Sequence, residues 1–433
     1  MVEPTTLIAA LLDDSGFQPL EAENLEQAGL SEALVESLIC KHLHVLGKAT
    51  GRGLSEELCL PFRVLEGRFQ KLKSRHWLAH TGAAPLNDYV YMLTDQGREQ
   101  AQLFAAICAY RGPAPVPLSD YITSVDAQTI AARTPQRQDL EEAFSDISVD
   151  ASMFLRLGPA VNSAAGLFLY GAPGNGKTTL AERITRCFGQ EIWLPKTLLA
   201  DGQIIKLYDP AYHREVSVSP TKLLRQDCLD QRWTKISRPL VIVGGELTMD
   251  CLEIRHDPRS NISEAPLQMK SNCGSLLIDD FGRQRIDPTQ LLNRWIVPLE
   301  KRYDFLTLAS GKKIQVPFDQ LVVFSTNLEP KDLVDEAFLR RIPYKIRVSD
   351  PDEAEFHKLF GLCAASMGCV YEAAAVEYLL ETHYRGANRP LRRCHPRDLL
   401  LQVRNYCAYL GEPLTMKPEH FDMAVESYFT VVG

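Results

Sequence analysis

Gly171-Ala-Pro-Gly-Asn-Gly-Lys-Thr178 decides how this chain is read. Directly before it stands the apolar run Leu167-Phe-Leu-Tyr170, and directly after it the helix-favouring Thr179-Leu-Ala-Glu-Arg-Ile184. Strand, glycine-rich turn and helix thus follow in the order a phosphate-binding loop requires. The glycines let the backbone curl until successive N–H groups point at phosphate oxygens, and the helix turns its positive end to the same charge. Lys177 can reach β- and γ-phosphates, and the Thr178 hydroxyl can ligate Mg²⁺. The residues expected around a bound nucleotide are Gly171, Ala172, Pro173, Gly174, Asn175, Gly176, Lys177, Thr178 and Thr179.

Working outward, Ser275-Leu-Leu-Ile-Asp-Asp280 is an apolar strand that ends in two carboxylates, the Walker B arrangement. A buried strand can hold Asp279 where it reaches Mg²⁺, and Asp280 can then polarise the attacking water. The strand Leu321-Val-Val-Phe-Ser325 runs into Thr326-Asn327, placing an amide beyond the carboxyl end of a parallel strand, where ligands of open α/β sheets bind. Asn327 can orient water between Asp280 and the γ-phosphate. In Asp335-Glu-Ala-Phe-Leu-Arg-Arg-Ile342, Arg340 and Arg341 end a helix. They read either as cations presented to a neighbouring subunit's nucleotide or as local partners of Asp335 or Glu336. In Arg392-Arg-Cys-His-Pro-Arg-Asp-Leu-Leu400, Pro396 marks a helix start and Arg397 its first turn, with Arg392 and Arg393 as competing phosphate-directed arginines.

Phosphate loop, acid pair, Asn327, the arginine pair and Arg397 follow one another as in the AAA+ ATPases, which the chain resembles over about residues 139–409. The resemblance implies a five-stranded parallel α/β sheet with a C-terminal helical lid. It also implies ATP and Mg²⁺ as ligands, hydrolysis, and a homo-oligomer, commonly a hexameric ring whose sites are completed by neighbours. Asp280 departs from the family, which commonly has Glu there. The stretch Glu264 to Gly274 resembles the approach to this strand in family branches with inserted loops; Leu267, Met269 and Lys270 are candidates for gripping a partner, with a plain loop as the alternative.

Before this core, residues 31–47, 54–60 and 61–75 carry helical apolar spacing, followed by the strand-like Trp77-Leu-Ala-His80 and Tyr89-Val-Tyr-Met-Leu93. This order resembles a winged helix-turn-helix domain, expected over residues 25–108. Its third helix carries Arg63, Arg68, Lys71, Lys73 and Arg75, a local basic excess that suits DNA phosphates or, alternatively, forms a solvated face. Residues 109–122 are Pro-rich and read as a connector. The ATPase core is expected over 123–348, with an insertion at about 192–238, and the lid over 349–433. Asp139 to Ile147 reads as a segment across the nucleotide base or as a linking helix.

Strand candidates are Leu167–Tyr170, Pro239–Val243, Ser275–Asp279, Leu321–Ser325 and Tyr344–Val348, and Asp287 caps an apolar-faced helix expected through Leu299. With 433 residues, 45% of them hydrophobic, the chain has material for two or three full cores. Its net charge of −8 excludes a global attraction to nucleic acid. The 11 cysteines are scattered without a Cys-x-x-Cys pair, as buried thiols in a reducing compartment would be. No basic leader stands before Leu7–Leu12 and no apolar run spans a bilayer, so the cytoplasm is the expected location. Two functions compete: an ATP-hydrolysing remodeller of a protein or nucleic-acid partner, and an ATP-switched DNA-binding regulator acting through the winged helix. A pure switch does not need the acid pair, Asn327 and an arginine finger together, which favours the enzyme.

Overall fold

The computed structural model describes residues 17–147, 149–189, 191–217, 229–333 and 336–429. They fall into two compact units, the first within 17–134, 188–276 and 284–321, the second within 135–187, 277–283 and 322–429. The readings made for Met1 to Asp14, for residues 218–228 of the expected insertion and for Asp335 lie outside the described residues.

Strands β1 (Leu167–Tyr170), β2 (Leu240–Val243), β3 (Gly274–Ile278), β4 (Gln320–Thr326) and β5 (Tyr344–Arg347) form one parallel sheet in the order β2-β3-β4-β1-β5. Each of the five stretches expected to be a strand is one. Every residue of β3 and β4 is buried, as are Leu167, Phe168 and Leu169 of β1. A strand covered on both faces needs a continuous apolar run, and these runs are what the sequence displays. Both β4 and β5 flank β1, with Val323 and Tyr344 in register with Leu167 on its two sides. The strand order reverses at β1, and the crevice beyond its carboxyl end is where open α/β sheets bind ligands.

In the second unit β1 leads through the glycine loop into helix α1 (Lys177–Arg186). Helix α2 (Glu336–Arg341) precedes β5, and α3 (Glu353–Ser366) and α4 (His395–Leu410) belong to the C-terminal helical region, with helices 373–379 and 418–428. Phe356, Phe360, Val376, Leu379, Leu400, Val403 and Phe421 close its core, the rings of Phe360 and Phe421 meeting edge to face at 5.7 Å.

The first unit opens with helices 32–46, 51–58 and 62–74, capped at the first two by Ser31 and Thr50. Strand 48–50 and the hairpin 78–84/88–93 pair in the order 48–50, 88–93, 78–84, and helix 95–107 follows from the Thr94 cap. Val35, Leu38, Leu54, Leu65, Phe69 and Leu72 form its core, with Phe69 stacked on Tyr91 at 4.6 Å.

Three expectations are corrected here. The Pro-rich stretch 109–122 is not a free connector: Tyr110, Ala114 and Val116 are buried, and Val116–Pro117 is the edge strand of a second five-stranded sheet, where proline's missing N–H is tolerated. The expected insertion is built into that sheet through strands 197–200 and 203–206, while 191–195 pairs with 233–237. The helix expected to run from Pro288 through Leu299 breaks into 288–294 and 296–301 at Trp295 (φ −101°, ψ 9°), because Pro298 has no N–H to give the carbonyl four residues back.

Arg232 and Asp230 form a buried ion pair at 2.7 Å, and Arg232 also donates to the Ala28 and Pro115 carbonyls at 2.9 and 3.2 Å. Removing Asp230 leaves the buried Arg232 charge without its counter-ion. Asp230→Ala is therefore expected to destabilise the chain by about 3–5 kcal/mol, read as a loss of denaturation midpoint, while a surface change such as Lys313→Ala leaves the midpoint in place.

Candidate functional site

The loop after β1 curls because three of its glycines adopt positive φ: Gly171 at 140°, Gly174 at 80° and Gly176 at 79°. A Cβ on Gly171 would come within 2.4 Å of the Val348 carbonyl oxygen, and one on Gly174 within 2.5 Å of Cys394 Sγ, so neither position admits a side chain. Helix α1 starts with Gly176 as its N-cap and no side-chain cap, which leaves its first-turn N–H groups to an anion. Asn175, buried, turns its amide away from the loop's interior, donating to Asp350 at 2.7 Å and accepting the Arg393 N–H at 3.3 Å. Asn175 lines the cavity as a loop residue, and its side chain ties the loop to the segment before α4.

Lys177 is 7% exposed, and its ammonium donates to the Gly171 and Ala172 carbonyls at 3.0 and 3.1 Å and to Asn327 Oδ1 at 2.7 Å. Burial pulls its pKa below the ordinary value, against the opposing pull of Asp279 and Asp280. Asn327, at the end of β4, gives its Nδ2 to Asp280 at 3.1 Å. Thr178 Oγ1 donates to Asp279 Oδ2 at 2.8 Å. Asp280 itself stands in the left-handed region, φ 51°, with its N–H donating to Asp279 Oδ1 at 3.1 Å. That conformation re-aims the carboxylate away from the strand direction, and nothing in the amino-acid pattern announced it.

These groups line a cavity of about 760 Å³ together with Thr179, Arg283, Arg393 and Arg397. Ile147, Val149, Met153, Leu359 and Leu362 make part of the lining apolar; of the stretch Asp139 to Ile147, the first part belongs to a helix, Arg137–Ala143, and Asp146 and Ile147 line the cavity. Arg397 lies in the first turn of α4 as expected, paired with Asp398 at 2.8 Å, and Pro396 is the second helical residue rather than the first. Arg393 pairs with Glu355 at 3.0 Å, and Arg392 with Asp350. Arg340 and Arg341, on α2, do not line the cavity; Arg340 is exposed and within 3.4 Å of Glu336, and Arg341 lies over the Phe338 ring. No group of three or more His, Cys, Asp or Glu side chains among the described residues could hold a metal by itself. The ten cysteines described are free.

Two sets of expected contact residues sit elsewhere. Leu267, Met269 and Lys270 do not form a gripping loop: they make a buried helical turn, and Lys270 is held by Asp209 at 2.7 Å and lies over the Tyr212 ring. Of the basic residues on helix 62–74, Arg63 pairs with Glu21 at 3.0 Å, Lys71 with Glu32 at 2.8 Å, Arg75 with Glu36 at 2.7 Å, and Arg68 with Glu32. The local positive excess is largely cancelled by the helix packed beside it, which leaves Lys73 as the one of the five without an ion pair among the described residues.

A family model described as a domain of unknown function (DUF8689) matches residues 352–427, the C-terminal helical region. Comparison with curated proteins finds no match. Among solved structures, the chain is similar to the RuvB Holliday junction branch migration motor of Thermotoga maritima, at 14% identity and a TM-score of 0.35 over 69% of this chain and 73% of that one. It is also similar to NtrX of Brucella abortus in complex with ATP, at 12% identity and a TM-score of 0.38 over 63% of this chain and 55% of that one. At TM-scores this low the likeness carries no weight for function, and the site rests on its own geometry. Among the described residues no helix is long and apolar enough to cross a membrane.

His395, the first residue of α4, shares a hydrogen bond with the buried Tyr384 hydroxyl at 2.8 Å. Burial first, then Arg392 and Arg389, lower its pKa from 6.5 to about 4, against Asp398 and Asp350. The folded chain therefore resists a proton that the unfolded chain accepts, so this contribution is whole above pH 6.5 and is lost as pH falls toward 4. Between about pH 7 and about pH 5 the wild type is expected to lose about 1–2 kcal/mol on this account. Denaturant titration of His395→Asn at both values is expected to show that pH-dependent part removed.

Proposed function

We propose that this chain is an AAA+ ATPase that binds ATP with Mg²⁺ in the second unit and hydrolyses it. The observation that carries the reading is the continuous polar chain Lys177–Asn327–Asp280 beside the Thr178–Asp279 pair, all at the carboxyl ends of β1, β3 and β4. Lys177 and the uncapped N–H groups of α1 suit the phosphates, and the apolar wall at Ile147, Met153 and Leu359 suits a base. The hydroxyl and carboxylate of Thr178 and Asp279 are hard oxygen donors that fit Mg²⁺, an ion that takes few protein ligands and completes its shell with phosphate and water. When bound, the ion would neutralise charge developing on the phosphoryl oxygens.

The remaining chemistry belongs to side chains. Asp280 is held by Asn327 and its own strained backbone in position to accept a proton from an attacking water, and Arg397 lines the same cavity. Arg340, exposed at the end of α2, and the half-buried Arg341 beside it are proposed to serve the site of a neighbouring subunit in a ring-shaped homo-oligomer. In this plan residues 25–108 form a winged-helix-like domain facing a partner, 123–348 the ATPase core and 349–433 a lid. The ion pairs on helix 62–74 favour a protein partner for that domain over DNA, since DNA phosphates would have to displace Glu21, Glu32 and Glu36.

Asp280→Asn is expected to lower turnover at least about hundredfold while ATP affinity, read by displacement of a fluorescent nucleotide, stays put; undiminished turnover would remove Asp280 from the mechanism. Mixing Lys177→Ala subunits with Arg340→Ala/Arg341→Ala subunits is expected to restore part of the activity that each lacks alone. Absence of rescue at every ratio would place the arginine pair outside the neighbour's site.

A further inference from the structure

The turn that follows β3 is built more strictly than a strand end requires. Asp280 has φ 51° and Gly282 φ 103°, two left-handed residues flanking Phe281. Phe281 is 1% exposed; its N–H donates to the Ser325 carbonyl at 2.7 Å, and its ring packs against Phe168 and Phe324 at 5.9 and 5.0 Å. A Cβ on Gly282 would lie 2.7 Å from Leu333 Cδ2, so position and conformation both call for glycine. The Arg283 N–H donates back to the Asp280 carbonyl at 3.0 Å and closes the turn. A non-glycine residue held at positive φ is strained, and such strain persists only where the surroundings over-determine it. Here the anchored phenylalanine does so, and the result is that the side chains of Asp280 and Arg283 both line the cavity.

Arg283 differs from the other guanidinium groups on that cavity. Arg393 is paired with Glu355 and Arg397 with Asp398, whereas the Arg283 side chain has no hydrogen bond or ion pair among the described residues. The two nearby carboxylates are engaged elsewhere, Asp279 with Thr178 and Asp280 with Asn327. Arg283, exposed, is thus a cation open to an anion, and it lines the cavity together with Lys177, Asp279, Asp280 and Asn327. A planar guanidinium with parallel N–H donors matches phosphate oxygens better than it matches a ribose or a base edge.

We propose that Arg283 is a further catalytic residue, contacting the terminal phosphate of the nucleotide bound by its own chain and stabilising the negative charge that grows there. This rests on the ATPase reading above. The contact exists only with a triphosphate, so it separates ATP from ADP, which an arginine serving the base or the outer phosphates would not do.

The experiment uses the full chain, with Arg283→Ala and Arg283→Lys beside the wild type, and reads ATP affinity, ADP affinity and kcat/KM. Arg283→Ala is expected to weaken ATP binding about tenfold to hundredfold, to leave ADP binding unchanged and to lower kcat/KM further than Arg283→Lys does. Unchanged ADP binding also certifies a folded site. Equal losses for ATP and ADP, or no loss for either, would overturn the assignment. Mixing Arg283→Ala with Lys177→Ala subunits is expected to restore nothing, because each lesion then disables its own chain's site; rescue would move Arg283 to a neighbour's nucleotide and overturn it equally. A wild-type chain that binds no ATP would sink the ATPase reading itself, an outcome visible before any variant is made.

Discussion

The ammonium group of Lys177 is the interaction on which the second unit's site depends. It is nearly sealed from solvent, and a buried ammonium must have its three N–H donors met or lose its charge. Gly171 and Ala172 meet two of them from the loop, and Asn327 meets the third from the end of another strand. This one group therefore fixes the curl of the loop and the distance between the carboxyl ends of β1 and β4 at once. The acceptors it uses are what a phosphate would replace, so the loop already has the shape that an anion requires, and little reorganisation is left for binding.

From Asn327 the same constraint passes to Asp280, whose backbone is bent into a left-handed conformation and locked by Phe281 beneath it. Order in the C-terminal helical region reaches the loop from the other side, through Asn175 with Asp350 and through the Cys394 N–H on the Gly174 carbonyl at 2.9 Å. The glycine loop is therefore held at both ends by groups distant in sequence.

Much of this was legible in the amino-acid order, for identifiable reasons. Parallel strands buried on both faces must be continuous apolar runs, so Leu167–Tyr170 and Ser275–Ile278 declare themselves, and a glycine turn between strand and helix has few other uses. What stayed hidden depended on contacts between distant segments. Glu21, Glu32 and Glu36 lie far upstream of the basic residues they neutralise, so charge counted within one window overstated that face, and Asp209 lies far upstream of the Lys270 it holds. The second sheet is assembled from strands of only two to four residues, too short to show a period. The break at Trp295 could have been read from Pro298. The left-handed Asp280 could not, since aspartate enters that region more often than most residues but far less readily than glycine, and so signals it only weakly.

Lys177, Asn327 and Asp280 are proposed to work as one unit on a bound triphosphate. Phosphate release from MgATP by the purified wild-type chain, followed beside nucleotide binding in Asn327→Ala, tests this most directly. Steady release by the wild type, with the variant still binding ATP but releasing phosphate far more slowly, is the expected result. A wild type that fails to bind ATP at millimolar concentration, or a variant that hydrolyses as fast as the wild type, would contradict it.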